Sequence, residues 1–254
     1  MNIDAYLARI GISSRPEDTS PETLHALQTA HLMHVPYETM DIIRGVPFTL
    51  ETEALYDKIV TRRRGGYCFE LNGLFAWLLR SLGFPVTEYF ARFLRDADPG
   101  VPMRRHRVLR VTASDGLDYI CDVGVGGVCP LTPLPFLLNA RTSEANGVWR
   151  IVPDAVYGYV VEEYKHGTFR PYYAFTTEPQ HPIDFVTANF WCQQAPESPF
   201  RTSPIVSLPT LTGRKTLRGD EFRIFDGDRV VVIPAGDADN RDRLLVELFG
   251  IGTN

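Results

Sequence analysis

Basic residues are in deficit in this chain: 26 lysines and arginines against 31 acids leave a formal net charge of -5. That balance argues against a nucleic-acid or anionic-membrane partner, both of which reward a positive surplus. Long apolar runs are missing too, since no stretch approaches the roughly 18 uninterrupted residues of a bilayer-spanning helix. Met1-Asn2-Ile3-Asp4 lacks a basic segment leading into an apolar one, so no secretory leader is read and the cytoplasm is the expected compartment. Cysteine is scarce, with four in 254 residues. Cys68, Cys121, Cys129 and Cys192 show no CxxC spacing, and no histidine pair follows such a cysteine pair at zinc-site intervals. Reduced thiols and no metal centre are the expectation.

What is present reads as a globular protein. Hydrophobic residues make up 44% and charged residues 22%, enough apolar material for one large domain or two to three smaller packed units. Residues 1–83 carry mostly helical patterns: Tyr6, Leu7 and Ile10; a segment opened by Ser20-Pro21-Glu22; another from Leu50 to Val60; and a strongly periodic run ending at Leu82. The chain breaks at Val35-Pro36, because the residue before proline avoids helical dihedrals. Residues 84–188 are richer in β-branched and aromatic residues. Strands are predicted over Val86–Leu94, Arg107–Ala113, Leu117–Val123, Trp149–Val152, Val156–Tyr164 and Thr168–Phe175, forming an antiparallel sheet or barrel. Residues 189–254 mix short strands at Ile205–Leu208, Glu221–Phe225 and Arg229–Ile233 with a last helix over Asp239–Phe249.

The most informative stretch is Arg62-Arg63-Arg64-Gly65-Gly66-Tyr67-Cys68-Phe69-Glu70. Leu71, Leu74, Phe75, Leu78, Leu79 and Leu82 recur after it at helical spacing. Gly65 and Gly66 permit a tight turn before the helix, which puts Cys68 in the first helical turn, on the side of the apolar face. A thiol there, at the positive end of the helix dipole and near cations, ionises below its free pKa of about 8.5. The plainer alternative is a cysteine that only packs.

A thiolate that does acyl chemistry needs a base, and the base an orienting acceptor. Among six histidines, His106 stands at the mouth of a strand. Asp122 ends the next strand, before Gly124-Val125-Gly126-Gly127. A two-residue turn at Asp115-Gly116 would leave His106 and Asp122 on opposite faces. A three-residue loop would put them on one face, offset by about 13 Å, so that meeting would need a bulge, or His106 held ahead of the regular pairing. Spacing alone leaves open a solvated histidine and a turn-capping aspartate.

Read together, these segments resemble the arylamine N-acetyltransferases over most of the chain. Arg64-Gly65-Gly66-Tyr67-Cys68-Phe69-Glu70 is similar to that family's nucleophile motif, and Val35-Pro36-Tyr37-Glu38-Thr39-Met40-Asp41 to an upstream signature. His106 and Asp122-Val123-Gly124-Val125-Gly126-Gly127 match the remaining triad positions. The resemblance implies an α+β fold: a helical bundle over 1–83, an antiparallel β-barrel over 84–188 and an α/β lid over 189–254, with a cysteine-protease-like catalytic core. It implies Cys68, His106 and Asp122 as the catalytic triad. Tyr37, Val125, Gly126, Gly127 and Phe200 become substrate or cofactor contacts, and Arg64 and Glu38 a supporting ion pair between two helical segments. The activity implied is acetyl transfer from acetyl-coenzyme A to an arylamine or hydrazine through an acetyl-cysteine thioester, by a ping-pong route, as in xenobiotic metabolism.

Some positions depart from that pattern. Thr39 replaces the usual Asn, Val125 stands where many bacterial members carry Phe, and the C-terminal unit is short for the family. An amide synthase releasing a polyketide chain on the same scaffold is one competing reading. A papain- or transglutaminase-like thiol hydrolase is another. A module in which Cys68 merely packs is a third.

Overall fold

A computed structural model describes residues 1–95 and 100–251. In chain order it runs α1 (Ile3–Arg9), α2 (Pro21–His34), β1 (Tyr37–Glu38), α3 (Met40–Ile43), α4 (Thr52–Tyr56), α5 (Cys68–Ser81) and β2 (Val86–Phe93). There follow β3 (His106–Thr112), β4 (Asp118–Cys121), β5 (Leu134–Pro135), β6 (Arg141–Glu144), β7 (Gly147–Asp154), β8 (Gly158–Lys165) and β9 (Thr168–Phe175). The chain closes with α6 (Phe185–Gln194), β10 (Ile205–Thr210), β11 (Gly213–Arg218), β12 (Glu221–Asp226), β13 (Arg229–Pro234) and α7 (Ala238–Phe249).

Helix α5 occupies the centre. Ten of its fourteen residues are buried, among them Cys68, Leu71, Asn72, Leu74, Phe75, Leu78 and Leu79. Burying each leucine stabilises by about 1.5–3 kcal/mol, so this helix anchors the surrounding elements. Glu70 reaches back from its third position to accept from the Tyr67 N–H at 3.1 Å, which fixes the helix start. The helix packs on β3 and β2, the inner strands of an eight-stranded antiparallel sheet ordered β5-β4-β3-β2-β9-β8-β7-β6. A bridge between Leu138 and Ile151 brings the two ends of that sheet together, so it curls into a nearly closed barrel.

A second sheet is ordered β1-β10-β11-β12-β13 and packs on α7. Its first strand comes from the N-terminal segment: Tyr37 pairs with Ser207 and Glu38 with Val206. The fold is therefore α+β, with helices, a barrel-like sheet and a terminal sheet-and-helix layer.

Several local expectations need correction. Val156 is 78% exposed in the turn before β8, not in that strand. The predicted helix over Leu50–Val60 begins only at Thr52 and widens into a π-turn over Asp57–Thr61. Strand β11 escapes notice because Arg214, Lys215 and Arg218 dilute its apolar pattern. Gly65 and Gly66 do not adopt a left-handed turn; the positive φ, 54°, belongs to Arg63. The glycines instead let this segment lie against β1, where Gly66 bridges Tyr37.

Candidate active site

Cys68 is the first residue of α5 and is 3% exposed. Its thiol faces the carbonyl of Arg105 at 3.7 Å, next to His106 at the start of β3. His106 is wholly buried, with Phe93 and Tyr173 rings against it at 4.6 and 5.7 Å between centroids. Its Nε2 lies 2.6 Å from Oδ2 of Asp122. The other ring nitrogen, Nδ1, is buried with no hydrogen-bond partner among the described residues.

The register explains how His106 and Asp122 meet. Leu109 opposes Cys121 and Thr112 opposes Asp118, so the hairpin is centred on Asp115 rather than on Gly116. Continued outwards, that register sets Asp122 opposite Val108, on the face of His106 and two residues along, about 7 Å. The side chains close that gap without a bulge. Neither loop considered from spacing alone had this centre.

Asn72, one turn after Cys68 on α5, ties the helix to this pair. Its Nδ2 donates to Oδ1 of Asp122 at 2.9 Å and to the Arg107 carbonyl at 2.6 Å. Its Oδ1 accepts from the Val123 N–H at 2.9 Å. The Gly124 N–H also donates to Oδ1 of Asp122 at 2.9 Å, and Gln28 accepts from the Asp122 N–H at 3.1 Å. The carboxylate thus receives donors from His106, Asn72 and Gly124, which fix its orientation. Asn72 and Gln28 were not singled out from sequence. Yet a polar Asn on an apolar helix face, one turn after a candidate nucleophile, signals a buried partner.

The surroundings of the thiol differ from the expected ones. Burial pushes Cys68 well above its ordinary value, and Cys192 and Asp122 push the same way. Arg105 and the Phe69 N–H oppose this more weakly. The arginine triplet does not serve the thiol: Arg62 pairs with Asp57, and Arg64 belongs to a buried network. The arginines expected to acidify the thiol are thus engaged elsewhere, and burial sets the direction of its shift. A proton can leave only to a base in the same enclosed space.

Arg64 donates to Glu38 through Nε at 3.0 Å and Nη2 at 2.7 Å, and Nη2 also reaches Asp41 at 2.9 Å. Lys58 sits 2.7 Å from both Asp41 and Glu70. Burial alone would raise the Asp41 carboxyl, but Lys58 and Arg64 outweigh it and hold it below its ordinary value. Glu70, more deeply enclosed, stays raised by burial despite Lys58. Glu38 lies in β1, so its pair with Arg64 joins a strand to the segment before α5 rather than two helices. Removing one member would leave buried charge uncompensated, at a cost of about 3–5 kcal/mol.

The other residues named from sequence scatter around this centre. Tyr37 is buried in β1, and a Cβ on Gly126 would stand 2.7 Å from its ring. Val125 is buried, 4% exposed, in the main apolar cluster. Gly127 lies against Arg95. Phe200 packs edge-on against Tyr67 at 5.6 Å and under the Arg105 guanidinium at 5.4 Å. Tyr67 in turn donates to Asn189 of α6, a helix not foreseen from sequence. Cys121, Cys129 and Cys192 are buried free thiols. Among the described residues no cluster of potential metal ligands occurs, and no helix is long and apolar enough to cross a membrane.

Comparison with known proteins points the same way as the residues. A family model described as N-acetyltransferase matches residues 20–254. Arylamine N-acetyltransferase from Mycolicibacterium smegmatis is 34% identical over 99% of this chain and 92% of its own length. The Salmonella typhimurium arylamine N-acetyltransferase / N-hydroxyarylamine O-acetyltransferase is 33% identical over 91% of this chain and 84% of its own. The solved structure of the Salmonella typhimurium arylamine N-acetyltransferase superposes with a TM-score of 0.93 at 30% identity, covering 99% of this chain and 92% of that one. The Mycobacterium marinum arylamine N-acetyltransferase in complex with CoA superposes at 0.91 and 31% identity, over 98% and 93% of the two chains.

Proposed function

The chain belongs to the arylamine N-acetyltransferase family, and from that premise we propose that it transfers an acetyl group from acetyl-coenzyme A to an aromatic amine or hydrazine through a thioester on Cys68. The observation that carries this is the buried His106, bonded through Nε2 to Asp122 and left with an unpartnered Nδ1. When Nε2 keeps the proton and donates it to the carboxylate, Nδ1 holds a lone pair and serves as the base.

In the first half-reaction, Cys68 Sγ passes its proton to Nδ1 of His106 and attacks the thioester carbonyl. A carbon–sulfur bond forms, the tetrahedral oxyanion collapses, and the coenzyme A thiolate leaves with the proton from the imidazolium. Asp122 stabilises that imidazolium while it exists. Backbone N–H groups at the start of α5, that of Phe69 included, are the proposed donors to the oxyanion. In the second half-reaction the amine nitrogen attacks the acetyl-cysteine carbonyl, loses a proton to His106, and releases free Cys68. The raised thiol suits this cycle. A neutral thiol in a closed site resists oxidation and becomes nucleophilic only as the proton moves.

Tyr37, Val125, Gly126, Gly127 and Phe200 are proposed to contact the two substrates. Arg64 and Glu38 support the start of α5 without entering the chemistry. The proposed units are the helical 1–83, the barrel 84–188 and the lid 189–254, with the working site where they meet. The cytoplasm is the proposed compartment. Initial rates measured over a grid of acetyl-coenzyme A and arylamine concentrations test the scheme. Parallel double-reciprocal lines are expected for a ping-pong route; lines that intersect would replace it with direct transfer in a ternary complex.

A further inference from the structure

Arg105 adjoins both side chains proposed to react. Its backbone carbonyl accepts from the Cys68 thiol at 3.7 Å, and the residue after it is the buried His106. Its guanidinium rests over the Phe200 ring, 5.4 Å from the centroid. Phe200 in turn packs edge-on against Tyr67, the residue before Cys68, at 5.6 Å. The cation is thus seated on a ring that also touches the nucleophile's neighbour.

Lack of counter-charge sets this arginine apart. The flanking cations are matched, Arg104 with Glu178 at 3.8 Å and Arg107 with Glu88. Arg62 and Arg64 have acidic partners as well. Arg105 is partly buried, yet among the described residues its guanidinium has no carboxylate within ion-pair distance and makes no hydrogen bond. Its charge is felt at the site: burial raises Cys68, Cys192 and Tyr37, and Arg105 opposes that rise in all three. A partly desolvated cation without a partner is costly, and an anion placed beside it removes that cost.

We propose that Arg105 selects the acceptor, pairing with a carboxylate carried on the ring of the aromatic amine. This rests on the proposed transfer to such an amine. The amine nitrogen has to reach the acyl carbon on Cys68, so the opposite end of a flat ring points away from the thiol. Phe200 offers that ring an aromatic neighbour. The guanidinium above Phe200 presents a planar fork of N–H donors, which matches the two oxygens of a carboxylate.

The test compares p-aminobenzoate with its neutral counterpart p-aminobenzamide in the wild type, Arg105→Gln and Arg105→Lys. In Arg105→Gln the kcat/KM for p-aminobenzoate relative to p-aminobenzamide should fall roughly 10- to 100-fold, the loss of a charge-assisted contact. Arg105→Lys keeps the charge without the fork and should lose less. Taking the ratio cancels any effect of the missing charge on Cys68 itself. Arg104→Gln removes the same charge one residue away and should keep the wild-type ratio. Calorimetric titration with p-aminobenzoate reads the contact without catalysis: the Kd should rise in Arg105→Gln and hold in Arg104→Gln. Phosphate groups of the acyl donor are the other anions that could reach Arg105. Acetylation of Cys68 without amine is therefore followed from acetyl-coenzyme A and from p-nitrophenyl acetate, which has no phosphate. A loss in Arg105→Gln confined to acetyl-coenzyme A, with the acceptor ratio unchanged, would assign Arg105 to the donor and overturn the proposal. So would a wild-type ratio in Arg105→Gln with both donors, or an equal fall in Arg104→Gln. A wild type that binds p-aminobenzoate through Arg105 yet never becomes acetylated would overturn the proposed transfer and leave the contact standing.

Discussion

Gly124 lies so close to Cys68 that a Cβ added to it would stand 2.6 Å from the Cys68 Cα and 2.7 Å from Nδ2 of Asn72. The loop carrying Asp122 is thus pressed onto the first turn of α5, and the nucleophile, the orienting carboxylate and Asn72 share one close contact. Gly124→Ala should force that loop away. A misplacement of about 1 Å can cost on the order of 100-fold in rate, while overpacking costs about 1–3 kcal/mol in stability. Turnover and urea denaturation on the same preparation check this. Wild-type turnover in the Ala variant would show that the contact does not matter.

Asp122→Asn tests the orientation of the imidazole. An Asn side chain can present its NH2 to Nε2, which moves the ring proton to Nδ1 and removes the base. In comparable triads this substitution costs about 10⁴-fold. The readout is the rate of Cys68 acetylation by p-nitrophenyl acetate, with circular dichroism to confirm the fold. A loss below about tenfold would mean that Asp122 only caps its turn.

Much of this arrangement is legible in the sequence, and the parts that are not have physical reasons. The period of Leu71, Leu74, Phe75, Leu78 and Leu79 places α5 and puts Cys68 at its start, because burial of one face dictates that spacing. The hairpin register is not legible: whether the turn centres on Asp115 or Gly116 decides which residues meet, and local chemistry favours neither. Partners far along the chain are equally hidden. Nothing near Arg64 in sequence says that it will spend its charge on Glu38 and Asp41, so the triplet looks like help for the thiol. Helix α6 is obscured because its buried residues, Phe185, Asn189 and Cys192, are too few to mark a clear stripe.

Val125→Phe tests the position where this chain leaves its family's pattern. If Val125 borders the space for the amine, the larger ring should spare acetylation of Cys68 and lower kcat/KM for bulky amines more than for small ones. If Val125 only packs in the core where it is buried, Phe overpacks the loop at about 1–3 kcal/mol and both half-reactions fall together. Separate half-reaction rates on a panel of small and bulky arylamines decide it, and equal losses across the panel would remove Val125 from the substrate contacts.

His31 gives the fold a pH dependence of known sign. It is fully enclosed, with the Tyr6 hydroxyl 3.0 Å from Nδ1. Burial chiefly, with Arg9 and His34 adding, lowers its pKa to about 3. The unfolded value is about 6.5, so the unfolded chain takes the proton first. The contribution of the neutral ring is whole above about pH 6.5 and is lost as pH falls towards about 3, at up to about 1.4 kcal/mol per pH unit. Urea unfolding between pH 7 and 4.5 measures the slope and stays above the range in which Asp41, held below its ordinary value, gains a proton. His31→Gln, which keeps a partner for Tyr6, should flatten the slope; identical slopes in the two proteins would contradict the assignment.

The central claim is that Cys68 carries the acetyl group between donor and acceptor. Intact mass of the protein after brief exposure to acetyl-coenzyme A, without amine, reads this directly. One acetyl adduct is expected in the wild type, localised to Cys68 by peptide mapping and discharged when an arylamine is added. The Cys68→Ala variant should fold and stay unmodified, since one small buried side chain replaces another, while single replacements of Cys121, Cys129 and Cys192 should still acquire the adduct. An unmodified wild type, or an adduct that persists in Cys68→Ala, would contradict the account.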